Sequence, residues 1–175
     1  SPEKVLLKPE VCHGLSLSAR FCFGRTTPPS LAFASMLKLR FENHSDQPIR
    51  RIRVNSSQQM NNLQPIEIIP PGGEVVVPVE IVLVDQGGKT VKLEVRSDKG
   101  SYTALLKPAV WEVLSPVHMS KEVFLQTRRL LGGFNEASKT FDAASLGLSA
   151  TANDSRNVLD RINSRAGVFV VSAED

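Results

Sequence analysis

From Gly14 onwards the chain alternates Leu15, Leu17, Ala19, Phe21 and Phe23 with Ser16, Ser18, Arg20 and Cys22. A period of two places one set of side chains on a core face and the other in water, so this stretch predicts a half-buried β-strand. TTPPS at 26–30 interrupts it, because two prolines bring no N–H donor to a ladder. The alternation resumes over 33–42, with Leu37, Leu39 and Phe41 facing one way and Met36, Lys38 and Arg40 the other. ENHSDQP then supplies turn chemistry: Asn, Ser and Asp side chains bond nearby backbone, and Pro48 opens the next extended segment. In the strand that follows, Ile52 and Val54 are expected inward, with Arg51 and Arg53 outward.

A polar link at 55–64 precedes IEIIPPGGEVVVPVEIVLV, which reads as a short strand, a Pro-Gly turn and a long apolar strand. DQGG turns the chain, KTVKLEVRSD alternates through Val91, Leu93 and Val95, and GSYTALLKP adds another strand. About seven strands follow one another by residue 107 with no helix between them, the spacing of an immunoglobulin-like antiparallel β-sandwich. The likeness is one of layout, since Cys12 and Cys22 lie too early for an inter-sheet bridge and Trp111 follows the strands.

The pattern changes after Pro108. MSKEVFLQTRRLLGG carries Val123, Phe124, Thr127, Leu130 and Leu131 on one helical face, with Ser120 as N-cap and Gly132 at the stop. NDSRNVLDRIN predicts a second helix through Val158, Leu159 and Ile162, and AGVFVVSA a closing strand. The expected organisation is therefore a mainly-β chain: a sandwich over 1–108 and a small α+β platform over 109–175.

Composition narrows the chemistry. With 41% hydrophobic residues in 175, the chain can bury a core, and no apolar run approaches the roughly 20 residues of a membrane-spanning helix. Two cysteines make no disulfide scaffold and favour a reducing, cytosolic setting. Sequons at Asn43, Asn55 and Asn153 keep a secreted or cell-surface adhesion module as the alternative. GGKT at 87–90 lacks the glycine a phosphate-binding loop needs at position 83, which is leucine, and a strand rather than a helix is expected after it. His13, His44 and His118 share no metal-ligand spacing, and no nucleophile motif occurs, so neither a metal, a cofactor nor a catalytic residue is expected.

What remains is recognition. Lys38, Arg40, Arg51 and Arg53 are expected to form a basic stripe across neighbouring strands, either a solvated face or an acidic-peptide or phosphate site. Arg128 and Arg129 behind Phe124 on the helix pose the same choice, and Trp111 reads first as a core plug at the junction and second as an exposed anchor. Nucleic acid is not expected, because aromatics are few and sit at core positions rather than among the basic residues.

Several stretches resemble a known family. LRFENHSDQPIRRIRV and IIPPGGEVVVPVEI are similar to the strand-turn-strand segments of clathrin-adaptor large-chain appendage, or ear, domains. PAVWEVLSPVHMSKEVFLQTRRLLGGFNEAS resembles the C-terminal region of the beta subunit of adaptor protein complex 3, matching at Pro108, Glu112, Pro116, Val117, Met119, Ser120, Phe124, Gly133, Asn135 and Glu136. Trp111 departs from the family's usual small residue. The family's platform also continues beyond the segment similar to RINSRAGVFVVSAED, so a truncated or reduced platform is expected here. The resemblance implies a non-enzymatic module on a vesicle-coat adaptor, cytoplasmic and peripheral on Golgi and endosomal membranes. Its implied partners are accessory or tethering proteins, docked as short peptide segments or as a subunit, and other adaptor subunits reached through the parent chain. The implied transport is towards lysosomes and related organelles. Candidate contacts are Lys38, Arg40, Arg51 and Arg53 on the sandwich, and Trp111, Phe124, Arg128 and Arg129 near the platform.

Overall fold

The expected alternation is realised in strand β2 (Leu15–Cys22), where Leu15, Leu17, Ala19 and Phe21 are buried and Arg20 is exposed. A computed structural model describes residues 1–22, 34–83, 90–113, 119–131, 158–159, 162 and 171. The chain divides into two units, Ser1–Leu114 and Ser115–Asp175.

In the first unit, β2 pairs with β1 (Lys4–Leu7) and with β3 (Ala34–Asn43). β3 pairs in turn with β7 (Glu74–Val82), whose far end pairs with the two-residue β5 (Met60–Asn61). The second sheet runs β6 (Ile66–Ile69), β4 (Ile49–Ser56), β8 (Val91–Ser97) and β9 (Gly100–Leu106), and every pairing in both sheets is antiparallel. The two strands missing from the sequence reading are β1, four residues long, and β5, two residues long.

The core lies between the sheets. Leu17, Phe21, Leu37, Leu39, Phe41, Val79 and Ile81 from one sheet meet Ile49, Ile52, Ile69, Val91, Leu93, Val95 and Leu106 from the other. Each such side chain contributes about 1.5–3 kcal/mol by leaving water. This is the expected immunoglobulin-like sandwich, and its topology decides which outward residues can meet.

β3 and β4 are separated by only five residues yet belong to different sheets. Asn43 turns the chain across. Its side-chain amide donates to Gln47 O at 2.8 Å and to Ile69 O at 3.0 Å, and its Oδ1 accepts from Ser45 N at 2.9 Å. One buried side chain thus shapes the turn and ties β3 to β6 of the opposite sheet, satisfying groups that would be costly to leave unpaired. The Pro-Gly turn performs a similar crossing from β6 to β7. Gly73 N–H donates to Pro70 O at 2.9 Å around Gly72, whose φ of +67° is the left-handed geometry a type II turn requires.

Beyond β9 a single 3-10 turn, Val110–Glu112, returns to the sandwich. Glu112 is fully buried: its carboxylate pairs with Lys4 of β1 and accepts from Ala109 N–H at 2.7 Å. Lys4 also donates to Lys107 O at 3.0 Å, so the last strand and the turn after it are fastened to the first strand.

In the second unit, helix α1 (Lys121–Leu131) forms where the apolar spacing predicts it. Ser120 caps it as expected, its Oγ accepting from Val123 N–H at 3.3 Å. Val158, Leu159 and Ile162 of the predicted second helix are helical, while the rest of that segment lies outside the described residues. So does the predicted closing strand, apart from Val171, which is in no strand.

Candidate protein-docking surfaces

The basic stripe expected from Lys38, Arg40, Arg51 and Arg53 does not form. Lys38 and Arg40 lie on β3 and Arg51 and Arg53 on β4, and these strands belong to opposite sheets whose outer faces point away from each other. Nearness in sequence was a poor guide because the Asn43 turn crosses the sandwich instead of closing a hairpin.

On the β3 face, Arg40 is surrounded by carboxylates. Its guanidinium reaches Glu3 at 3.6 Å, Glu42 at 3.8 Å and Glu74 at 3.9 Å. Glu3 precedes β1 and Glu74 begins β7, so Arg40 joins three elements of one sheet. Lys38 is exposed beside it, opposite Pro78 of β7. Pro78 lies where no described strand pairs along the outer side of β7, so its missing N–H breaks no ladder and blunts that edge.

The β4 face is different. Ile49 and Ile52 are both buried, with Arg50 and Arg51 exposed between them, so one extra residue interrupts strict alternation. Arg51 absorbs it with a φ of +53°, a conformation uncommon for a side chain of its size. Arg53 then stands directly across from Arg96 of β8, which in turn stands across from Ser101 of β9. Like charges at such positions repel, since their Cβ atoms lie about 4.5–5.5 Å apart. No carboxylate among the described residues forms an ion pair with Arg51 or Arg53. Glu94, the acid nearest along β8, is bound to Lys92 at 2.9 Å and reaches Arg96 only at 3.8 Å. The Lys92 hydrogen bond is also the main cause holding the Glu94 carboxyl below its usual range.

Arg96 was missed by sequence reasoning. The alternation of KLEVRSD places it outward, but only the register of β8 on β4 shows that it faces Arg53.

Trp111 is not a core plug: it is 39% exposed on the turn whose neighbour Glu112 is buried. The turn is anchored by Glu112, which leaves the indole outside. On α1, Phe124 is 40% and Leu130 87% exposed, and no residue of the helix is buried. Arg128 and Arg129 occupy its last turn, where positive charge suits the helix dipole.

One serine, histidine and carboxylate do converge. Ser16 Oγ lies 3.1 Å from His44 Nε2 and 3.2 Å from Glu42 Oε2, and that same carboxylate oxygen lies 3.4 Å from the same ring nitrogen. Both groups meet Nε2, so the carboxylate does not orient the imidazole from its far nitrogen as a nucleophile–base–orienter relay requires. Nearby, Glu42, His44, Gly72, Gly73 and Glu74 line a cleft of about 270 Å³. No group of acid, histidine and cysteine side chains among the described residues is arranged to hold a metal ion. Asn43, one of the three sequons, is 2% exposed with its amide committed to two carbonyls, which removes it as a glycan acceptor in the folded chain.

Relatives named AP-3 complex subunit beta-1 match most of this chain. The mouse protein is 32% identical over 139 residues, 75% of this chain and 12% of its own length. This chain is a homologue of the AP-3 beta subunits. The bovine AP-3 beta-1 subunit is 28% identical over 165 residues, 90% of this chain and 14% of its own length. The chain therefore spans roughly an eighth of the AP-3 relatives it matches. A crystal structure of the yeast GGA1 GAE domain has a TM-score of 0.42 and 13% identity, covering 61% of this chain and 98% of that one. No protein-family model matches the chain.

Proposed function

We propose that this chain is a protein-docking appendage of a vesicle-coat adaptor, acting by recognition rather than catalysis. The observation that carries the reading is the match to AP-3 beta subunits across three quarters of the chain. The form of the molecule supports it: an antiparallel sandwich offers a rigid display of outward side chains, and the described serine–histidine cluster lacks the order of a catalytic relay. In this reading the protein works in the cytoplasm, peripheral to Golgi and endosomal membranes, and recruits accessory or tethering proteins during transport towards lysosomes. In this reading the second unit, Ser115–Asp175, is its platform.

Docking of short segments is individually weak and gains strength when many adaptors share one membrane. The surfaces that fit such a role are the β4 face with Arg51 and Arg53, and the exposed Trp111, Phe124, Arg128 and Arg129. Lys38 and Arg40 are the weaker pair, because Arg40 is already held by three carboxylates.

The test is affinity capture from cytosol with the 175-residue chain as bait, read by mass spectrometry. Enrichment of coat-accessory or tethering proteins over an unrelated sandwich domain is expected. Equal recovery by both baits would overturn the reading.

A further inference from the structure

The Arg53–Arg96 pair sets two guanidinium groups across from each other on adjacent strands, with Arg96 touching Glu94 at 3.8 Å and Arg53 in no ion pair with a described carboxylate. Resting on the docking function above, we propose that this pair, with Ser101, is a receptor for a phosphorylated serine or threonine in a partner's peptide.

The register supplies the geometry. Arg53, Arg96 and Ser101 form one row across β4, β8 and β9, perpendicular to the strands. A row of this kind presents two planar guanidinium forks and a hydroxyl to a single group lying above the sheet. A phosphate monoester suits it better than a carboxylate does. It carries a charge of about −1.5 to −2 with three acceptor oxygens, enough to engage two arginines at once. Arg51, exposed two residues along β4 and without an ion-pair partner, adds to the positive potential at one side.

The carboxylates near the row do not fill it. Glu94 bonds Lys92 at 2.9 Å through one oxygen and reaches Arg96 at 3.8 Å through the other, and Glu67, exposed on β6, makes no ion pair. These two acids also speak against a lipid surface as the ligand. Membrane-binding patches are runs of basic residues, whereas here the three arginines and one lysine are interspersed with carboxylates. A discrete dianion fits that arrangement.

The experiment uses the whole chain, immobilised, and a degenerate peptide library carrying a central phosphoserine, compared with the same library carrying serine. Preferential retention of the phosphorylated library by about tenfold or more is expected, from two charge-assisted contacts. It should weaken as pH falls through about 6, where the phosphate takes up a proton. The double variant Arg53→Gln/Arg96→Gln should lose the preference. Arg53→Lys/Arg96→Lys should keep only part of it, because lysine offers charge without the bidentate fork. Thermal unfolding of each variant establishes that it is folded.

Equal retention of the two libraries would overturn the proposal, as would a phosphate preference that survives the Gln variant. Arginine-dependent binding to phosphatidylserine vesicles with no phosphopeptide preference would overturn it in favour of a membrane. Accessory-protein capture that the Gln variant retains in full would end the phosphate site and leave the docking function standing, while failure of the unaltered chain to capture anything would count against the docking function itself.

Discussion

The two outer faces of the sandwich both display arginine on central strands, but they surround it with different numbers of acids. On the β3 face Arg40 sits among Glu3, Glu42 and Glu74, each from a different part of the sheet. On the β4 face Arg53 meets Arg96, and neither Arg51 nor Arg53 forms an ion pair with a described carboxylate. Each face also sets one pair of cations across from each other, Arg20 with Lys38 on the first and Arg53 with Arg96 on the second. Arg53 is left without a carboxylate partner among the described residues, and a bound anion would supply one. Counting outward arginines cannot tell these cases apart; the charges directly across and alongside each one can.

The largest effect concerns a third setting, a charge paired inside the protein. Glu112→Ala should cost about 2–4 kcal/mol in urea unfolding, because it strands Lys4 and removes the acceptor of Ala109 N–H. Glu112→Gln should cost less, since it can still accept from Ala109. A negligible loss for the alanine variant would mean that the turn after β9 is not fastened to β1.

Arg40→Ala comes next and tests the neutralised face. It leaves three carboxylates near one another and should lower stability by about 0.5–1 kcal/mol at low salt. Arg96→Thr on the other face should act with the opposite sign, raising stability by a few tenths of a kcal/mol through relief of the facing charge and a better strand residue. Both differences should shrink in high salt, which screens exposed charges. If the two substitutions shift the unfolding midpoint in the same direction, the contrast between the faces is wrong.

The smallest effect is a pH dependence of the frame that both faces share. Burial pushes the Cys12 thiol above its ordinary value of 9.0. In the alkaline range just above 9 the unfolded chain therefore loses this proton before the folded one does, so the folded state binds more protons and stability falls as pH rises. Cys12→Ala should flatten that fall between neutral pH and about 10 while lowering stability throughout, as removal of a buried side chain does. An unchanged slope would assign the alkaline loss to another group, such as Tyr102, which burial also pushes up.

Much of the sandwich was legible from alternation alone. The inward sets Leu37, Leu39, Phe41 and Val91, Leu93, Val95 are buried as read, because period two fixes which side of a strand an apolar residue occupies. The α1 helix was legible for a similar reason, its face spaced at helical period and its start marked by Ser120. Trp111 was not: whether a large aromatic is covered depends on what packs over it, and here Glu112 takes the buried position on that turn.

The amino-acid pattern by itself determined seven of the nine described strands, which of their residues face the core and which arginines face water, since these follow from local geometry and the burial of apolar side chains. Only the tertiary structure decided which sheet each strand joins, and so which charges are neighbours. A five-residue turn held by Asn43 sent Arg53 to the face opposite Arg40, and pairing between segments far apart in the chain set it against Arg96. Alternation carries the direction of a side chain, but the identity of its neighbour depends on strand order and register, which are settled when the two apolar faces close on one core.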